Sequence, residues 1–192
     1  MNSVKNILFV GVGGQGTILA SKILTEGLLK YGYDVKMSEV HGMAQRGGSV
    51  TTQVRYGEKV YSPLIEKGTA DVIVAFEKSE AARYIEYLRE GGKLVVNDYE
   101  IVPVTVLIGD EKYPQNVSEK LRATGADTLM IKAADIATKL GNIKAQNVVL
   151  LGALLKALNL DKINWDEVLE TIVPKKAIEI NKKALVLGMQ AK

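Results

Sequence analysis

Cysteine is absent from all 192 residues, and histidine occurs once, at His41. The first absence rules out disulfides and removes the thiolates that hold iron-sulfur clusters. Any one-electron chemistry this chain joins is therefore located on another chain or on a bound cofactor. A single histidine cannot build a histidine-rich metal site. Charge of one sign is also missing as a block: 25 basic residues stand against 22 acidic ones, spread along the chain, for a formal charge of +3. No basic stripe with interleaved aromatics is present, so nucleic acid is a poor candidate partner. The longest apolar run, Val148 to Leu158, is interrupted by Lys156 and is about half a membrane span. The apolar run after Lys5, Ile7 to Val10, is too short for a secretory signal. These features predict a chain confined to the cytoplasm, with no membrane partner.

What is abundant is glycine, 18 residues, and it is concentrated. GVGGQGT, residues 11 to 17, follows the apolar run Ile7-Leu8-Phe9-Val10 and precedes Ile18, Leu19, Ile23, Leu24 and Leu28 at helical spacing. That order reads as strand, turn, helix: a strand over 6–10, a helix over 15–31 stopped by Gly32, and a second strand over Val35–Val40. A right-handed crossover then places the two strands parallel and adjacent. The stretch 38–50, SEVHGMAQRGGSV, reads as a loop at the same edge of the sheet.

Alternation of Val50, Thr52, Val54 and Tyr56 with polar neighbours predicts a strand, turned back at Gly57-Glu58 into Lys59-Val60-Tyr61 as a hairpin. Beyond it the pattern predicts strands at Ala70–Phe76, Lys93–Val96, Val102–Ile108 and Thr128–Lys132, with a helix over Ser79–Arg89 stopped by Gly91-Gly92. From residue 134 the signals are helical: Ala134–Leu140, Ala145–Leu158, a segment capped by Asn164 with Glu167 three residues later, and one opened by Pro174. The fold class expected is α/β, a Rossmann-like mostly parallel sheet with an added β-hairpin and a helical C-terminal segment. It forms one domain over 1–192, with an α/β core over 1–133 and a helical part over 134–192. Val186-Leu187-Gly188-Met189 is apolar enough to dock on a neighbouring chain.

Gly11, Gly13 and Gly16 match the dinucleotide pattern G-x-G-x-x-G in a strand-to-helix setting, where missing side chains let backbone N–H groups approach a pyrophosphate. Glu39, about twenty residues later, could meet a ribose hydroxyl. Such turns also arise only to let a helix pack tightly on a sheet. Gly14, Gln15 and Thr17 complete the turn; the Gln15 amide and Thr17 hydroxyl could join the free N–H groups on an anion, or Thr17 could simply cap the helix. In the second loop the Arg46 fork could clamp a carboxylate or phosphate beside Gln45, and Gly47 and Gly48 permit close backbone approach. His41 could exchange a proton near neutral pH or serve an interface. Glu77 and Asp98, at strand ends, read as turn or cap residues.

GVGGQGT and SEVHGMAQRGGSV, together with NVVLLGAL at 147–154, ADVIVAFE and GGKLVVND, resemble the γ-type subunit of the 2-oxoacid:ferredoxin oxidoreductases. The resemblance covers nearly the whole chain and is nearest to the small subunit of the indolepyruvate branch. It implies a heteromeric enzyme that converts an arylpyruvate, coenzyme A and oxidised ferredoxin to acyl-CoA, carbon dioxide and reduced ferredoxin. It also implies that thiamine diphosphate and [4Fe-4S] clusters belong to the large subunit, that no cofactor is tightly bound by this chain alone, and that the chain is inactive alone. Residues 11–17 and 38–48 would then face the large subunit and help form a coenzyme A or substrate channel, or serve assembly only. A stand-alone NAD(P)- or FAD-binding protein and a binding module without catalysis are the alternatives.

Overall fold

A computed structural model describes residues 4–41, 48–102, 104–110 and 112–191. The first strand, β1 (Lys5–Val12), is apolar and buried from Ile7 onward because it is covered on both sides there. Ile7 and Phe9 point into one buried cluster and Leu8 and Val10 into the other. This two-sided burial is what a continuous apolar run reports. The glycine turn leads into α1 (Thr17–Lys30), and β2 (Asp34–His41) follows. The segment 42–48 is far too short for a crossover helix, so β3 (Ser49–Gly57) returns antiparallel to β2.

The sheet order is β2-β3-β1-β4-β5-β6, in which β4 is Ala70–Ala75, β5 is Leu88–Asn97 and β6 is Asp127–Ile131. β1, β4, β5 and β6 run parallel, while β3 is antiparallel to both β1 and β2. The expected α/β sheet, mostly parallel, is present. The expected adjacency of β1 and β2 is not: β3 occupies the position between them, so the α1 crossover spans two places. The hairpin also differs from its expectation. β3 turns back from β2 rather than into 59–61, and Lys59 to Tyr61 is irregular. Asp34 holds that return, its Oδ2 accepting from Val60 N at 2.9 Å.

Three further expectations are corrected. The helix over 79–89 is shorter, α2 (Lys78–Tyr84) with a 3₁₀ turn at Ile85–Tyr87, because Leu88 already begins β5. Gly91 and Gly92 lie inside that strand, where the register against β4 slips between Ala70 and Val72; Gly91, at φ 68°, forms the bulge. The strand expected over 102–108 is instead α3 (Val104–Leu107), a single helical turn. A helix that sequence periodicity did not reveal, α4 (Val117–Ala123), packs through Val117 and Leu121.

The C-terminal helices follow the sequence reading closely: α5 (Ala133–Lys139), α6 (Gln146–Ala157), α7 (Trp165–Ile172) and α8 (Ile178–Met189). Asn164 caps α7 by accepting from Glu167 N at 3.4 Å. α1, α6, α7 and α8 share one buried cluster with one face of the sheet, and α2 and α4 cover the other. α6 is buried nearly all round, so its sequence carries almost no polar face. No helix among the described residues is long and apolar enough to cross a membrane. Val186 and Leu187 are exposed on α8, whereas Gly188 is buried against α6.

That last contact brings two backbones together. A Cβ on Gly188 would lie 1.9 Å from the Val149 carbonyl oxygen, and one on Gly152 would lie 2.2 Å from that of Leu185. Neither atom is a flexible side-chain end, so the helices themselves must separate. Gly188→Ala is expected to lower stability by about 1–3 kcal/mol, the usual cost of overpacking. A denaturant midpoint at the parent value would show that the crossing is looser than described.

Candidate functional site

The C-terminal ends of β1 and β4 meet at the glycine turn, and one side chain fixes how they meet. Gln15 is 8% exposed. Its Oε1 accepts from Val12 N at 2.7 Å and its Nε2 donates to Phe76 O at 2.9 Å. The amide is thus committed to the ends of two strands rather than offered to a ligand, which corrects the expectation that it joins the anion-binding groups. Asn97, at the end of β5, adds a second donor to Phe76 O at 3.3 Å and accepts from Ala133 N at 3.1 Å. A polar layer therefore closes the top of the core with its buried backbone groups satisfied.

Above this layer the turn stands open. Gly14 has φ 100° and Gly16 has φ 82°, conformations that L side chains rarely adopt. Gly14 is exposed, and a Cβ there would find nothing within 4 Å, so it is the backbone angle and not space that requires glycine. Gly11 is the reverse case: a Cβ would sit 2.9 Å from both Gln15 Oε1 and Phe76 Cβ and 3.0 Å from Thr17 Cγ2. Gly16 serves as the N-cap of α1 without a side-chain cap bond, so Thr17 does not cap the helix; it is buried, its methyl facing Gly11. The first N–H groups of α1 are those that no helical partner satisfies.

Asn147 is a residue of this site that the sequence reading passed over. It lies in the first turn of α6, 3% exposed, and its Nδ2 donates to Gly16 O at 3.3 Å. A Cβ on Gly16 would approach that nitrogen to 2.6 Å. The signal in the sequence was an asparagine interrupting the near-continuous apolar run of NVVLLGAL.

The second loop meets the first at its C-terminal root. Gly13 N donates to Gly48 O at 2.9 Å, and Val12 pairs with Ser49. Val50 stands opposite Gly11 on one side and His41 on the other, so the backbone of His41 reaches the same rim. Gln45, Arg46 and Gly47 lie outside the described residues. Glu39 does not stand where a ribose carboxylate would. It pairs with Thr52, which pairs in turn with Phe9, so two strand spacings, about 10 Å, separate its position from β1. The insertion of β3 removes the geometry on which the dinucleotide reading depends.

Beside the turn lies a pair of buried carboxylates. Glu77 is the N-cap of α2: its Oε2 accepts from Glu80 N at 3.0 Å and from the Ser79 hydroxyl, and its Oε1 accepts from Tyr113 OH at 2.5 Å. It is a cap residue, as its position suggested. Asp98 is engaged by Lys78 Nζ at 3.1 Å. Glu80, 3% exposed, accepts from Ser49 Oγ at 2.5 Å, with Arg83 Nε 3.3 Å from its other oxygen. Burial pushes the Glu80 carboxyl above the usual carboxylate range, against the pull of Ser49 and Arg83, and neighbouring Glu77 adds to the rise.

A carboxyl whose pKa is raised by folding holds its proton more tightly folded than unfolded. Stability then falls as pH rises from the ordinary glutamate value through the raised one, and the ionised group opposes folding at neutral pH. Glu80→Gln is expected to raise the thermal midpoint at pH 7 and to flatten that part of the pH profile. A lower midpoint with the slope retained would contradict the assignment.

With this geometry in place, comparison with known proteins gives a consistent answer. The profile of the family described as pyruvate ferredoxin/flavodoxin oxidoreductase matches residues 6–191. The chain is 42% identical over 192 residues to the indolepyruvate oxidoreductase subunit IorB of Pyrococcus horikoshii, covering 97% of this chain and 95% of that one. It is 30% identical over 179 residues to the pyruvate/ketoisovalerate oxidoreductases common subunit gamma of Thermococcus litoralis, with coverage of 92% and 89%. Among solved structures it is similar to the pyruvate oxidoreductase subunit PORC of Thermotoga maritima, with a TM-score of 0.74 at 26% identity over 98% of this chain and 96% of that one. The 2-oxoglutarate:ferredoxin oxidoreductase of Magnetococcus marinus shares the fold, with a TM-score of 0.76 at 20% identity over 99% of this chain and 31% of that one. With a glycine turn at the rim of a mostly parallel sheet and a family match over residues 6–191, the chain belongs to the pyruvate ferredoxin/flavodoxin oxidoreductase family and is a small, γ-type subunit of a 2-oxoacid oxidoreductase complex.

Proposed function

We propose that this chain is the non-cluster subunit of a cytoplasmic enzyme that decarboxylates indolepyruvate or a related arylpyruvate to acyl-CoA and carbon dioxide while reducing ferredoxin. Residues 1–192 act as one γ-type domain in that enzyme, the helical part 134–192 completing the α/β core 1–133. The substrate assignment rests on the names of relatives that are 35% to 42% identical to it, which are indolepyruvate oxidoreductase subunits. Thiamine diphosphate and [4Fe-4S] clusters are assigned to a large partner subunit. A chain without cysteine has no thiolate to offer a cluster, which supports this division of labour.

The observation that carries the role of this chain is the open glycine turn held against the second loop by Gly13 and Gly48. Gly14 and Gly16 keep the backbone bare at the start of α1, where N–H groups and the helix dipole favour an anion. The phosphates of coenzyme A and the carboxylate of a 2-oxoacid are both such anions. The cofactor on the partner supplies the ylid and electron sink when bound. Residues 11–17 and 38–48 would orient an anionic end, exclude water and place the thiol-bearing molecule against the partner's site. Arg46 would clamp the charged group beside Gln45, and Gly47 would let the loop approach it. His41 and Glu39 stand at the rim as contacts to the partner. That the Magnetococcus marinus protein is described with coenzyme A and succinyl-CoA bound, and contains this fold within a longer chain, supports a place for this domain near an acyl-CoA site.

The test is co-expression with a large thiamine diphosphate subunit, followed by indolepyruvate- and coenzyme A-dependent reduction of ferredoxin. Activity in the complex and none in either chain alone is expected. Stoichiometric NAD(P) or FAD retained by the isolated chain would overturn the reading. Within the complex, Arg46→Ala is expected to raise the KM for coenzyme A without loss of assembly. Gly14→Val is expected to impair turnover or assembly further, because a β-branched residue at that φ costs about 1–2 kcal/mol or more. Unchanged kinetics and assembly in both variants would remove the two loops from the site.

A further inference from the structure

Burying a carboxylate is costly, and Glu80 is buried beside a second one. Apart from the partly exposed Arg83 on the same helix, its contacts do not require a charge, since a neutral amide of the same shape would accept the same hydrogen bond from Ser49. Its main partner is informative. Ser49 is the first residue of β3 and directly follows Gly48, whose carbonyl accepts from Gly13 N at 2.9 Å. Ser49 Oγ donates to Glu80 Oε2 at 2.5 Å, and Tyr84 OH lies 3.3 Å from the same oxygen of Ser49. A continuous series of bonds thus runs from α2, through the root of the second loop, to the middle of the glycine turn.

The anchor of the series is itself fixed. Glu77 caps α2 through Glu80 N, and Tyr113 and Ser79 hold the Glu77 carboxylate in turn. The charged and titratable groups around Glu80 are Arg83 and Glu77 on its own helix; Ser49 faces it from β3 with Tyr84 behind. Of these, only Ser49 connects the carboxylate to the rim.

We propose that Glu80 is a positioning residue for the glycine cradle: through Ser49 it sets the height of Gly48 and Gly13, and so the direction in which the peptide groups of Gly14 and Gly16 face the anion. This rests on the reading that the cradle receives an anionic group such as coenzyme A. Glu80 touches no reactant and acts only through the bonded root of the loop. A merely structural carboxylate would affect stability without favouring one amide at the turn over the rest of the sheet.

The experiment uses Ser49→Ala, Glu80→Ala and Glu80→Gln. In the isolated full chain, amide exchange at Gly13 is expected to speed up about tenfold in Ser49→Ala and Glu80→Ala, the upper end of what one net hydrogen bond contributes. The amides of β4 and β5 should keep their parent rates. Glu80→Gln should return Gly13 to the parent rate, since the side-chain oxygen still accepts from Ser49. In the assembled enzyme the same two alanine variants should raise the KM for coenzyme A by about tenfold while kcat stays within about twofold, and Glu80→Gln should restore it. Parent-like exchange at Gly13 in Ser49→Ala, or a glutamine variant as loose as the alanine one, overturns the proposal. Should Glu80→Ala fail to fold, Ser49→Ala decides alone. Loosened exchange with an unmoved KM would keep the positioning role and sink the coenzyme A reading instead.

Discussion

The rim of this molecule depends on the buried amide of Gln15. Two strands end side by side, and each leaves a backbone group that its ladder does not satisfy. Gln15 closes both, taking Val12 N on one oxygen and giving a proton to Phe76 O. An unpaired buried group costs roughly 1–3 kcal/mol, so this bridge, with Asn97 as the second donor to Phe76 O, stabilises the point at which the turn rises off the sheet. Once it is in place, Gly14 and Gly16 carry the chain through positive φ, Asn147 meets Gly16 from α6, and the next residues enter α1. The openness of residues 13–16 is therefore a consequence of polar groups satisfied below, and the same layer extends through Asn97 to α5.

The second constraint is topological. The short segment 42–48 forces β3 back beside β2, and β3 takes the place next to β1 that a nucleotide-binding sheet gives to β2. This one insertion does two things. It carries the root of the second loop to the glycine turn, where Gly48 meets Gly13, and it moves Glu39 away from β1. A motif that reads as a dinucleotide site in isolation thereby stands at a rim where two loops meet. The proposed division of labour is economical in physical terms: this chain would supply backbone donors and shape, and a partner the redox groups.

Much of this was legible in the sequence. Period and composition located β1, α1, β2, β4, β6 and the four C-terminal helices, because each carries its own apolar pattern and its own stop or cap, as with Asn164 and Glu167. The neighbours of a strand are not written in its own residues, so the alternation in 49–56 revealed β3 but not its place between β1 and β2. Gly91-Gly92 looked like a helix stop because a bulge and a C-cap need the same positive φ. The residues 102–108 looked like a strand because a single apolar turn of helix is too short to show its period. At the site, the glycine pattern was visible. The roles of Gln15, Asn147 and Glu80 were not, because each is defined by a partner many residues away.

The central claim is that the bare backbone of residues 11–17 faces a companion chain carrying the redox groups. Hydrogen exchange on the isolated chain and on its complex with the large subunit tests it directly. The account predicts that complex formation protects the amides of residues 13–18 at the start of α1, while the opposite edge of the sheet, including the start of β1 near Lys5, exchanges as before. A stable complex in which those amides exchange as fast as in the free chain would contradict it.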